Sequence, residues 1–579
     1  MASIPARRER RLEGRVAGIA PGREPGTAAP PRPRFRERDQ SIEDRRRIGN
    51  GPDRVEHGDR SPRRHRSQVA DRDEPQDGPC GVLGDVDVAR ERREGPPIEP
   101  LLARVGRHGQ QRPDAREVAA PSASHVDRLP GGNHARGRLS TRVACLQPRR
   151  RDGKHAVVAH DDDAIIPLTI ERLTFGPDAL AHVDGQVAFV PLAAPGDRVL
   201  ARVVRRERGY LRAELVEVLE AGPNRVPPPC PAFGRCGGCQ WQHVALAAQR
   251  QAKRAIVAEQ LARLGGFRDV DVRPTLAANM GLAYRARVTL IAEGRRLGYQ
   301  RRASHVLEEI DACPIAAAAI NAHLALVRGW AARLRAAPIR VTIAEAPDGV
   351  ALAATLRSAP PPGDVADTEA LLVAHGSIRG VVLTHGDTRV TVGDAVIPTT
   401  IEPGAVIEAP ADAFAQVNPD ANRLLVQTVL TLGNFAAGSR VADLYCGAGN
   451  FTVPLARRGV HMVGIERDAR AVAAARANAT RLGLDARFVV GDVADQLERL
   501  TEPIVGAVLD PPRAGAAEAI AALVARAPRR VVYVSCDPAT LARDLKTLAS
   551  HGYALRAVQP IDLFPQTFHV ETVALIELT

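Results

Sequence analysis

From Ile165 onward, apolar and polar residues alternate in short bursts: IIPLTIERL, DGQVAFVP, DRVLARVV and LRAELVEVLE. Successive side chains of a strand face opposite ways, so this alternation predicts strands with one face in a core. Gly and Pro break the bursts, and Asp184-Gly185 supplies a tight turn. Four or five short strands over residues 165–220 predict a small antiparallel barrel. A Pro-rich, Cys-bearing stretch follows, VPPPCPAFGRCGGCQWQHV, then helical text from about 243 to 265 and mixed strand and helix to about 400. From roughly 405 to the end, apolar runs alternate with Ala- and Arg-rich helical text: RVADLYC, HMVGIER, ARFVVGD, GAVLDPP and RRVVYVSC. Strands alternating with helices in this way predict a parallel, doubly wound α/β sheet, with VETVALIELT as a closing strand.

Residues 1–160 show no such period. They are rich in Arg, Pro and Gly, with Lys154 their only lysine, and they cannot bury enough apolar surface to offset the entropy of ordering. Disorder is expected there. Two readings compete for this stretch: a basic tail that tethers RNA, or an upstream segment read into the frame in error, which we favour. The distribution of charge weakens any argument from the net charge of +12 to nucleic acid, because residues 1–160 carry 34 Lys and Arg against 23 Asp and Glu while the rest is nearly balanced. No run of 18 apolar residues and no secretory signal is visible, so a cytoplasmic protein without a membrane segment is expected.

The turn DLYCGAGNFT, residues 443–452, places Gly447 and Gly449 between a strand and a helix, where backbone can approach a ligand at the carboxyl end of a sheet. Glu466 ends the second strand, at the position that receives ribose hydroxyls in open sheets of this type. Asp492 ends the third. With Asp443 at the end of the first strand, three acidic strand tips suit S-adenosylmethionine, with its sulfonium and amino group, better than a phosphate-rich ligand. DPPRAG, residues 510–515, fixes the backbone beyond the fourth strand and presents Asp510 and Arg513 where a planar base can dock. Cys536 in VVYVSCDPAT ends the fifth strand on the same rim, with a helix starting near Pro538. A helix N-terminus stabilises a thiolate, and the thiolate is the nucleophile. Cys446, inside the turn, reads as a small buried hydrophobe.

Four further cysteines, Cys230, Cys236, Cys239 and Cys313, form C-x5-C-x2-C and a distant fourth in DACPI. Four thiolates without histidine suit zinc or a four-iron cluster equally by spacing, and disulfides are not expected in a reducing compartment.

FAQVN, DLYCGAGNF, LDPPRAG, VSCDPATLARD and HVETVALIEL, in this order, resemble the RNA uracil-C5 methyltransferase family over about residues 165–579. The resemblance implies a C-terminal Rossmann-like class I methyltransferase domain (405–579), an N-terminal OB-like TRAM barrel (165–220) and a central α+β iron–sulfur domain (225–400). It further implies that Gln416, Tyr445, Asn450, Glu466, Asp492 and Asp510 contact S-adenosylmethionine or position the base. Tyr445 stands where many relatives have Phe, and Asp492 where they often carry Asn. Cys536 would add to uracil C6, making C5 nucleophilic, and Glu571 of HVETV would remove the C5 proton. Similarity to cluster-bearing members favours [4Fe-4S] on Cys230, Cys236, Cys239 and Cys313, in a structural role. Arg202, Arg205, Arg206, Arg208 and Tyr210 of the barrel, with the run GYQRRASH at 298–305, would bind RNA. The transfer-RNA branch generally lacks both barrel and cysteines, so 23S rRNA is the expected substrate, with tRNA as alternative and a monomer without an obligate protein partner. An inactive RNA-binding scaffold is disfavoured because it needs neither Cys536 nor Glu571. DNA cytosine methylation is disfavoured because Cys536 lacks that chemistry's Pro-Cys pairing.

Overall fold

The computed structural model describes residues 163–278 and 281–579, and the expectations for residues 1–160 lie outside that range. The alternating text at its start forms a six-stranded sheet in the order Ile165–Thr169, Arg198–Glu207, Tyr210–Glu220, Gln186–Pro191, Asp178–Val183, Arg172–Leu173. Two strands are longer than the bursts predict, 10 and 11 residues. Irregularities in their pairing, the last between Val203 and Arg205, let the ribbon bend while keeping Val199, Ala201 and Val203 inside. Asp184 and Gly185 take φ of 50° and 78°, both left-handed, as a two-residue hairpin turn requires. Trp241, fully buried and from the cysteine stretch, joins the same core.

The central region holds the helix Leu246–Gln260, a single π turn at Leu261–Gly265, and a seven-stranded sheet whose middle strands are Pro338–Ala346 and Gly349–Leu356. The helix Ala318–Ala331 covers this sheet and buries Ile320, Leu324, Val327 and Trp330 at helical spacing.

The C-terminal sheet runs Ala486–Val490, His461–Glu466, Arg440–Leu444, Gly506–Leu509, Arg530–Ser535, Glu571–Leu578, Tyr553–Asp562, Leu276–Ala277. The first five are mutually parallel, as expected. Strand order reverses at Arg440–Leu444, and such a switch point opens a crevice at the carboxyl ends. Two features depart from the sequence reading. The closing strand Glu571–Leu578 is antiparallel and inserted between Arg530–Ser535 and Tyr553–Asp562. The sheet's edge is completed by Leu276–Ala277, donated by the central region. Within Arg530–Ser535, Val531, Val532, Tyr533 and Val534 are all fully buried, each contributing roughly 1.5–3 kcal/mol. Tyr533 also donates to Asp544 Oδ2 at 2.7 Å, and that carboxylate accepts the Ala516 amide at 2.8 Å. The strand that delivers Cys536 is thereby tied to the DPPRAG loop.

Candidate active site

Cys536 immediately follows Ser535, which pairs with Thr572 of the neighbouring strand. This register sets Glu571, the first residue of that strand, beside Cys536, although 35 positions separate them in the chain. The thiol lies within electrostatic range of Glu571, Arg513 and Asp510. The expected thiolate-stabilising helix terminus does not act on it. The helix Pro538–Ser550 does begin where predicted, but its first amides are taken by Asp537, whose Oδ1 accepts from Ala539 N at 3.0 Å and Thr540 N at 2.9 Å. Burial, reinforced by Glu571 and Asp510, pushes the Cys536 thiol up to about 11, and Arg513 opposes the rise. Glu571 is 3% exposed and its Oε1 has no hydrogen-bond partner. Burial, with Asp510 adding and Arg513 opposing, holds its carboxyl well above the usual range. Burial and Asp443 push Asp510 up to about 7.

In the roles expected of them, Cys536 as a thiolate and Glu571 as a carboxylate, both groups have to lose protons, and both pKa values are raised, so reactivity should grow as pH rises. We expect kcat/KM for methyl transfer to climb from pH 6 to pH 9, and Arg513→Gln to displace the rising limb to higher pH, because Arg513 lowers both groups. Alkylation of Cys536 by iodoacetamide, followed against pH by peptide mass, reads the thiol directly; an unmoved profile in Arg513→Gln would contradict the electrostatics.

The Gly-rich turn occupies the same rim. Tyr445 has a φ of 65°, with Gly447 at 54° and Gly449 at 98°; a non-Gly residue held there costs on the order of 1–2 kcal/mol. A Cβ added at Gly447 would meet no atom within 4 Å, so the space above the turn is open. Glu466 braces it, accepting from Gly447 N at 3.3 Å and Asp468 N at 2.8 Å. Asn450 exchanges amide hydrogen bonds with Asn422 at 2.8 and 3.0 Å. Gln416 is half-buried in the loop ahead of the helix Pro419–Gly433; Asn418 caps that helix and donates to Leu563 O at 3.0 Å. Asp492 does not end a strand. The strand stops at Val490, and Asp492 is an exposed N-cap accepting from Ala494 N at 3.0 Å, though its charge still reaches Tyr445. Cys446 is buried, as expected.

Three further residues shape this rim, and of these only His569 was not read from the sequence. Asp443 is fully buried, accepts from Thr452 Oγ1 at 2.5 Å, leaves Oδ1 without a partner, and is pushed by burial to about 7. Arg513 reaches the thiol. His569 Nε2 lies 3.4 Å from Arg513 Nη2, and as acceptor it carries its proton on Nδ1. The words DPPR and HVE contained the last two.

Cys230, Cys236, Cys239 and Cys313 line one cavity of the central region, with Tyr299 and Arg285 in its wall. Gly238 N donates to Cys236 Sγ at 3.4 Å. Among the described residues, no three His, Cys, Asp or Glu side chains are grouped closely enough to hold a metal ion as they stand. The thiols share a cavity rather than a closed coordination shell. GYQRRASH lies against this stretch: Gly237 N donates to Gln300 O at 2.9 Å and Arg302 N to Arg235 O at 2.8 Å. In the barrel, Arg202, Arg205 and Arg208 are exposed and Arg206 half-buried. Tyr210 is not a free platform, because it packs edge-on against Phe189 at 5.7 Å with Arg212 over both rings. Among the described residues no helix is long and apolar enough to cross a membrane.

Residues 499–578 match the family model described as tRNA (Uracil-5-)-methyltransferase, residues 405–532 the Methyltransferase small domain and residues 164–216 the TRAM domain. An uncharacterized RNA methyltransferase of Gloeobacter violaceus is 36% identical over 444 residues, covering 71% of this chain and 96% of that protein. The 23S rRNA (uracil(1939)-C(5))-methyltransferase RlmD of Azoarcus sp. is 35% identical over 428 residues, covering 70% of this chain and 98% of its own. In fold, the chain is similar to the Pyrococcus abyssi tRNA (uracil-54, C5)-methyltransferase solved with S-adenosyl-L-homocysteine, with a TM-score of 0.56, 23% identity and coverage of 71% of this chain and 100% of that one. With a Rossmann-like sheet, a TRAM barrel and relatives matched over nearly their whole length, the chain belongs to the RNA uracil-C5 methyltransferase family, whose members are S-adenosylmethionine-dependent enzymes.

Proposed function

We propose that the protein methylates C5 of a uridine in 23S rRNA through a covalent intermediate on Cys536, with Glu571 as general base. The observation that carries this reading is the strand register that brings Cys536 and Glu571 together on the rim shared with the Gly-rich turn. Cys536 first gives its proton to solvent; the thiolate Sγ then bonds to C6, and the displaced π electrons make an enolate with density on C5. The methyl donor supplies an electrophilic methyl on a sulfonium; C5 takes that methyl, and the departing sulfur keeps the bonding pair. The Glu571 carboxylate then takes the C5 proton, the freed pair restores the C5–C6 double bond, and the thiolate leaves. Asp510 and Arg513 flank the ring, and the uridine must be unstacked to enter. Tyr445, Asn450, Glu466 and Asp492 are assigned to the donor, and Gln416 to the donor or the base.

The rRNA substrate is supported by the relatives named for 23S rRNA, with Arg202, Arg205, Arg206 and Arg208 of the TRAM barrel supplying phosphate contacts. We assign a [4Fe-4S] cluster to Cys230, Cys236, Cys239 and Cys313, where it would act as a structural staple. Four thiols without histidine on one cavity fit that group's donor chemistry, and the Gly238 amide is placed as such sulfurs are commonly met. The test uses tritiated methyl donor with 23S rRNA and tRNA from cells lacking 5-methyluridine. Label in 23S rRNA is expected; label in tRNA alone would replace the substrate, and label in neither would leave a binding protein.

A further inference from the structure

The helix Leu246–Gln260 buries a lysine. Lys253 and its partner Asp562 are both fully enclosed, with Nζ 2.5 Å from Asp562 Oδ1. The same ammonium donates to Phe564 O at 2.9 Å and lies 5.9 Å from the Trp241 ring. Burying such a pair costs several kcal/mol per ion before their attraction offsets it, and apolar side chains of similar volume often serve stability as well. Stability is therefore a poor reason for it. Position is a better one. Asp562 ends one strand, and the segment after it returns as the strand that begins with Glu571. Ile561, adjacent to Asp562, pairs with Glu571.

Asn418 donates to Leu563 O from the other side, but Pro565 and Gln566 are held from the lysine's side. Gln249, one turn earlier on the helix, donates to Gln566 Oε1 at 3.0 Å and accepts from Gln566 N at 2.9 Å. Gln566 O accepts from Gln240 N at 3.0 Å and Trp241 N at 2.9 Å, and Tyr284 Oη donates to Pro565 O at 3.0 Å. None of these partners belongs to the methyltransferase sheet.

We propose that Lys253 is a positioning residue of the methyl-transfer reaction: through Asp562 and Phe564 it fixes the segment that delivers Glu571 to the C5 proton. The proposal rests on Glu571 being the base. Without the ammonium, the thiol, the donor turn and the RNA-binding surfaces stay in place, so adduct formation continues while proton removal lags.

Lys253→Met is expected to lower kcat by about 10²-fold while KM for rRNA stays within about threefold. A denaturation-resistant protein–RNA adduct should accumulate, as in Glu571→Gln. A merely structural role would reduce the amount of folded protein without raising adduct per folded chain, and that result overturns the proposal. Glu571→Gln, run in parallel, separates the two ideas. If it traps no adduct, the base assignment falls and takes the role of Lys253 with it; adduct in Glu571→Gln but none in Lys253→Met removes the role of Lys253 alone. Lys253→Met leaves the buried Asp562 carboxylate with only the Arg250 guanidinium, 3.8 Å away, so the double variant Lys253→Met/Asp562→Asn, which removes both fully buried charges, is measured beside it. Adduct in the double variant supports positioning, and release of the C5 proton at the wild-type rate refutes it. Gln249→Ala removes neutral bonds to the same segment, together with those to Trp241 O and Val244 O, and decides the matter by the same readout should neither Lys253 variant fold.

Discussion

Replacing Cys536 with alanine is expected to abolish methyl transfer, lowering kcat/KM by at least about 10⁴-fold. No other thiol among the described residues can substitute. Cys446 is buried inside the Gly-rich turn, 3% exposed and bonded toward Gly447 O, and the other four line the cavity of the central region. The loss should be chemical rather than structural. Cys536 sits just past a strand whose own residues are buried and whose following helix is capped by Asp537, so the unfolding temperature should move by no more than about 2 °C. Rates with tritiated methyl donor, together with a gel assay for protein–RNA adduct, measure both consequences. A variant that retains a tenth of the activity, or still forms adduct, would remove the thiol from the mechanism.

Cys239→Ser should produce the second largest effect, through the fold of the central region. Burial pushes the Cys239 thiol up to about 12 and that of Cys236 to about 11, so an ion or cluster must displace their protons to bind, and binding free energy then becomes folding free energy. Protein purified anaerobically is expected to carry about four iron and four sulfide per chain. Cys239→Ser should lose most of both and unfold roughly 10 °C lower. Metal analysis and calorimetry decide this. Zinc alone in the wild-type protein would correct the metal, and a stable, metal-free protein would leave the four thiols as packing.

The parallel strands were legible because burial on both faces writes continuous apolar runs such as VVYV, and the hairpin because Asp184-Gly185 can take two left-handed residues in succession. The Cys536–Glu571 juxtaposition was legible only through resemblance, since no local pattern records which strand lies beside which. Electrostatics was harder still. A helix terminus near Cys536 argued for a low thiol pKa, but Asp537 consumes the helix amides and burial prevails. Asp492 looked like a strand tip because VVGD ends in an acid, yet Gly491, at a φ of 152°, turns the chain first and the acid becomes a cap. The Lys253–Asp562 pair joins residues 309 positions apart, and nothing in either neighbourhood announces the other.

The two-residue strand Leu276–Ala277 has a wider consequence. It covers the outer flank of Tyr553–Asp562, and Val272 and Arg273 extend that cover at Val558. A fragment beginning near residue 405 would shed this cover and present bare backbone amides and carbonyls, ready to zip onto another copy. The methyltransferase sheet is therefore not a module that recombination can lift out whole; the region that precedes it travels with it as its seal.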